Sequence, residues 1–120
     1  MKKILVIEDD EDIAELVNLA LSDLYNVQLK TDGYNIEAEF LNGIPDLIML
    51  DNYVGDKQSS QILQEIRNID AAKSVPVVLF SGHSDIEKIA EEIKATTYLA
   101  KPFGLKDLYN CVDNVLNDAD

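Results

Sequence analysis

Several apolar runs in this sequence stop abruptly at residues that carry chemistry. Ile4-Leu5-Val6-Ile7 runs into Glu8 and Asp9, Leu47-Ile48-Met49-Leu50 into Asp51 and Val75–Phe80 into Ser81, while a fifth short strand, Thr96–Ala100, is closed by Lys101. Runs without a polar face read as strands buried on both sides, as central parallel strands are. In an open parallel sheet ligands bind outside the carboxyl ends of the strands, so these carboxylates, the hydroxyl and the ammonium would converge there. Glu8, Asp9 and Asp51 together hold too much negative charge to stay unpaired at neutral pH. A hard divalent cation with oxygen ligands, Mg²⁺, is the natural occupant. The set suits phosphoryl transfer to a carboxylate: the metal neutralises the phosphoryl group while Asp51 attacks it in line. Lys101 pairs with Asp51 at rest and with a phosphoryl oxygen afterwards, and Ser81 donates its hydroxyl to another oxygen. Each residue alone has a plainer account as a turn or a helix start; the argument rests on their joint occurrence at the strand tips.

The elements that must position them alternate along the chain. After the first strand, Ile13, Leu16, Val17, Ala20, Leu21 and Leu24 recur at helical spacing, with acids at the helix start. Tyr25, Val27, Leu29 and Thr31 alternate with polar residues, predicting an edge strand with one wet face. Asp32-Gly33 is a turn signal, and Ile36, Phe40 and Leu41 give a weak helical face ending near Asn42-Gly43. A polar loop, Asn52 to Ser59, precedes a helix carrying Ile62, Leu63, Ile66 and Ile69. Ser84 or Asp85 can cap a helix carrying Ile86, Ile89, Ala90 and Ile93. The last helix carries Leu105, Leu108, Val112, Val115 and Leu116, and a polar tail spans Asn117 to Asp120. Five strands and five helices joined by short connections predict an α/β fold, a doubly wound parallel sheet with helices on both faces. One domain over residues 1–120 accommodates them, without linker or repeat.

Composition narrows the function. Ten basic against 23 acidic residues, a formal net charge of -13, leave no basic patch for a nucleic-acid surface. No stretch approaches the roughly 20 apolar residues of a membrane span. Lys2-Lys3 leads straight into a strand rather than a signal core, so the expected location is cytoplasmic. Cys111 is the only cysteine, which excludes an internal disulfide, and it falls on an apolar helix face.

At these residues the chain resembles the receiver domain of two-component response regulators, of the single-domain chemotaxis type. The motifs are Ile4-Leu5-Val6-Ile7-Glu8-Asp9-Asp10, Leu47-Ile48-Met49-Leu50-Asp51, Leu79-Phe80-Ser81-Gly82 and Tyr98-Leu99-Ala100-Lys101-Pro102-Phe103. The resemblance implies a flavodoxin-like sheet of order 2-1-3-4-5 and phosphorylation of Asp51 by a histidine kinase or phosphotransfer protein. It also implies Mg²⁺ held by Glu8, Asp9, Asp51 and the Tyr53 carbonyl, a switch pair of Ser81 and Tyr98, and a cis peptide at Lys101-Pro102. A downstream protein target would read the switch, from a monomer or weak dimer with no effector domain following. Tyr53 and His83 should border the path of a water attacking the phosphorus.

The chain departs from the family pattern in three places. Gly55 replaces a usual Pro and Ser59 a usual Gly, so the loop after Asp51 should differ in shape and mobility, and Cys111 stands where dimerising receivers carry an Arg. Two rivals remain in view. A phosphohydrolase of the haloacid dehalogenase type needs a second Asp where this chain has Tyr53. A pseudo-receiver, binding partners without phosphorylation, is countered by the complete site.

Overall fold

Five parallel strands form the sheet because their apolar runs can be satisfied only with both faces covered. The computed structural model describes residues 1–117; the rest of the polar tail foreseen over Asn117–Asp120 lies outside them, and Asn117 itself ends the last helix. The strands are β1 (Lys3–Ile7), β2 (Asn26–Lys30), β3 (Leu47–Asp51), β6 (Val77–Ser81) and β7 (Thr97–Ala100), in the order β2-β1-β3-β6-β7. This is the 2-1-3-4-5 order when the five are counted alone. A short antiparallel hairpin, β4 (Tyr53–Val54) and β5 (Lys57–Gln58), follows β3.

Alternation along the strands divides the core in two. Leu5, Ile7, Ile48, Leu50 and Val77 pack against α2 (Ser59–Arg67) through Ile62, Leu63 and Ile66. Ile4, Val6, Met49, Val78 and Phe80 pack on the other face against α1 (Glu11–Leu21) and α4 (Leu105–Asn117). Leu79 meets α3 (Ile86–Ile93) through Ile86 and Ala90.

The expected second helix, after β2, is not an α-helix. Ile36–Phe40 form a 3-10 turn entered from Asn35 in the left-handed region, at φ 54. Only Ile36 and Phe40 of that segment are buried, so a longer helix would have no apolar face to dock. The turn still covers the sheet edge: Gln28 Nε2 donates to Glu39 Oε1 at 2.6 Å, and Gln28 and Lys30 are half-buried rather than wet. Two smaller expectations also change. Helix α1 stops at Leu21, leaving Leu24 in an exposed turn, and Leu16 faces solvent. Neither Ser84 nor Asp85 caps α3 by its side chain; the Asp85 N–H instead donates to His83 Nδ1 at 3.0 Å.

Candidate functional site

Glu8, Asp9, Asp51, Ser81 and Lys101 sit at the carboxyl edge of the sheet. Glu8 follows β1 and remains tied to the sheet through its N–H, which donates to the Lys30 carbonyl at 3.0 Å. Its side chain is fully buried. Asp51 ends β3 and is half-buried, Ser81 ends β6 and is buried, and Lys101 follows β7. The Lys101 ammonium donates to Glu8 Oε1 at 2.6 Å, lies 3.5 Å from Asp51 Oδ1, and stands 4.8 Å from the centroid of the Phe80 ring.

One ammonium facing two carboxylates leaves negative charge uncompensated. Burial, and then the neighbouring Asp51, push the Glu8 carboxyl up from 4.5 to about 8 against the opposing pull of Lys101. Glu8 therefore keeps its proton near neutral pH unless another cation takes its place. Carboxylate oxygens of Glu8, Asp9 and Asp51 all lie within 4.8 Å of one another. An all-oxygen set with a buried, undercompensated member fits a hard divalent cation. Asp10, the third acid of the run, is used otherwise: its Oδ1 accepts from the Asp12 and Ile13 N–H groups and caps α1.

The segment after Asp51 is where sequence reasoning fell short. It closes into the β4–β5 hairpin with Gly55 at φ +64, a conformation that proline, fixed near about −65°, cannot adopt. Thus Gly55 shapes a turn here rather than only loosening a loop. Its N–H donates to Asp9 Oδ2 at 2.9 Å. Ser59 is buried, donates its N–H to the Asn52 carbonyl at 2.8 Å, and bonds Asn52 Oδ1 through its hydroxyl at 3.0 Å. The Asn52 N–H in turn donates to Asp51 Oδ1 at 2.8 Å. A sequence signal existed in Gly55-Asp56 between Tyr53-Val54 and Lys57-Gln58, a two-residue hairpin pattern.

The remaining expected residues are placed as follows. Ser81 Oγ accepts the His83 N–H at 3.0 Å, which leaves the hydroxyl proton free to be donated. Register pairs Ser81 with Ala100 and Leu79 with Tyr98, so Ser81 and Tyr98 stand on the same face of the sheet, with Tyr98 exposed. The Lys101-Pro102 peptide is cis. Tyr53 opens β4, with its hydroxyl accepting from Gln58 Nε2 at 3.0 Å. Tyr53 and His83 line one cavity of about 230 Å³ together with Asn52 and Ser59.

A model of the response regulator receiver domain matches residues 4–113. The chain belongs to that family. It is 30% identical to the DNA-binding dual master transcriptional regulator RpaA of Synechocystis, over all of this chain and 51% of that protein. It is 33% identical to the transcriptional regulatory protein CiaR of Streptococcus pneumoniae, covering 90% of this chain and 48% of that one. The receiver thus spans about half the length of these curated relatives. Its fold matches the chemotaxis response regulator CheY4 of Vibrio cholerae with a TM-score of 0.87 at 24% identity, over 97% of this chain and 99% of that one. Among the described residues no helix is long and apolar enough to cross a membrane.

Proposed function

We infer that this receiver takes a phosphoryl group on Asp51 from a histidine kinase or phosphotransfer protein, in a Mg²⁺-dependent step, and passes the change to a downstream protein target. The observation that supports this most is the grouping of buried Glu8, Asp9, Asp51 and Lys101 at one sheet edge. Glu8, Asp9 and Asp51, with the Tyr53 carbonyl, would hold the Mg²⁺; when bound, the ion neutralises developing charge on phosphoryl oxygens. An Asp51 oxygen forms the new bond to phosphorus as the bond to the donor's imidazole nitrogen breaks. Lys101 moves from Asp51 to a phosphoryl oxygen. Ser81, already accepting from the His83 N–H, donates its own proton to a second oxygen. Drawing Ser81 inward opens room for Tyr98 to turn from exposed to buried, which alters the face around Ile93, Tyr98 and Tyr109. In this reading the domain is a cytoplasmic signalling switch that catalyses only its own phosphorylation and dephosphorylation.

The metal ligands are tested by Asp9→Ala, which should lose both Mg²⁺ binding and phosphorylation by a small phosphodonor. Normal phosphorylation of that variant at low Mg²⁺ would overturn the assignment.

The phosphorylated state should also be long-lived, because Tyr53, the second residue after Asp51, has no amide or carboxylate to orient a water. Tyr53→Asn should dephosphorylate several-fold faster while His83→Ala changes the rate little. An unchanged or slower rate in the Tyr53 variant would show that its ring does not guard the phosphorus.

A further inference from the structure

The hairpin that presents Gly55 to Asp9 is held from its far side by residues that touch no part of the acidic cluster. Lys57 Nζ donates to the Gly33 carbonyl at 2.9 Å and to both Glu65 carboxylate oxygens at 2.8 Å. The same ammonium stands 4.7 Å from the centroid of the Tyr34 ring, and the Tyr34 hydroxyl donates to Asp56 Oδ1 at 2.9 Å. Asp56 and Lys57 directly follow Gly55, so these contacts fix the turn at the residues next to its working N–H. The fit is close: a Cβ on Gly33 would lie 2.7 Å from Ile62 Cδ1 and 3.1 Å from Lys57 Cδ.

We propose that Tyr34, Lys57 and Glu65 are positioning residues that set how tightly the acidic cluster takes a divalent cation, acting through the Gly55–Asp9 hydrogen bond. The inference rests on the metal-binding reading of that cluster. Asp9 is exposed, and among the described residues the hydrogen bond to its side chain comes from Gly55. An exposed carboxylate without that bond samples several rotamers, and ordering it opposes metal binding; one already held by a backbone N–H avoids that cost. Partners behind a metal ligand commonly change affinity by about 10- to 100-fold. The clamp acts one step further away, and about three- to tenfold is expected of it.

The test compares the whole chain with Lys57→Met, Lys57→Arg and Tyr34→Phe. Met keeps the packed stem without the charge, Arg keeps the charge, and Phe keeps the ring beneath the ammonium while removing the bond to Asp56. Two quantities are read by NMR: hydrogen exchange of the Gly55 amide without metal, and the Mg²⁺ dissociation constant. Expected are faster Gly55 exchange and about three- to tenfold weaker Mg²⁺ binding in Lys57→Met. Tyr34→Phe should show a smaller shift of the same sign, and Lys57→Arg should recover most of the affinity. Exchange of Val78 and Leu79, in the buried strand β6, should stay as in the wild type. Unchanged Gly55 exchange, or faster exchange with unchanged Mg²⁺ affinity, overturns the clamp and leaves the receiver reading standing. A wild-type chain that takes up no Mg²⁺ overturns both the clamp and the metal-binding reading of the cluster.

Discussion

Asp51→Asn is expected to abolish phosphorylation and, above about pH 8 where Glu8 is also ionised, to stabilise the metal-free protein by about 1 kcal/mol, one pKa unit's worth of like-charge repulsion. The substitution is nearly isosteric. The amide oxygen can still accept the Asn52 N–H and face Lys101, the contacts that Asp51 Oδ1 makes at 2.8 and 3.5 Å. What disappears is one of two carboxylates competing for a single ammonium, so Lys101 is left to buried Glu8, 2.6 Å away. Denaturant unfolding in the presence of a chelator gives the stability, and exposure to a small phosphodonor gives the labelling. An Asn variant that is labelled at the wild-type rate, or is less stable than the wild type without metal above about pH 8, would contradict the account.

The second large effect is on pH dependence, and its sign runs opposite to that of an ordinary ion-paired acid. Glu8 rises from 4.5 to about 8 on folding, so the folded state binds its proton more tightly than the unfolded state. The stabilisation is fully present below pH 4.5 and is lost as pH rises through about 8. At about 1 kcal/mol per pKa unit, the metal-free protein should lose on the order of a few kcal/mol across that window. Glu8→Gln cannot ionise and should flatten the profile, which separates the Glu8 contribution from general repulsion in a chain of net charge -13. Mg²⁺ must displace the proton that Glu8 holds, so its affinity should rise with pH over the same range. Parallel profiles for wild type and Glu8→Gln, or Mg²⁺ binding indifferent to pH, would show that Glu8 is not the proton holder.

The five strands were legible in the sequence because they rest on local signals, whereas their order came from the resemblance to receiver domains. Fully apolar runs identify strands covered on both faces, and the residue ending each run lands at the ligand edge whatever packs around it. The second helix was misread because Ile36, Phe40 and Leu41 have helical spacing, yet Leu41 is exposed and the segment forms only a 3-10 turn. Leu24 fell outside α1 for a similar reason: periodicity marks where an apolar residue could serve a helix, not where the helix stops. The expected α3 cap is absent because neither Ser84 nor Asp85 turns its side chain to a helix N–H, and the Asp85 N–H itself goes to the His83 ring. Least legible was the hairpin. Its partners, Gly33, Tyr34 and Glu65, come from other elements, and a lysine, a tyrosine and a glutamate at those distances read in sequence as solvated surface.

The most direct measurement is to expose the wild-type chain to a small phosphodonor with Mg²⁺ and locate the adduct by intact-mass and peptide mass spectrometry under conditions that preserve acyl phosphates. A single phosphoryl group on Asp51, formed only when Mg²⁺ is present, is the result predicted. A chain that stays unlabelled with Mg²⁺, or carries its phosphoryl group on another residue, would contradict the assignment of Asp51 as the acceptor.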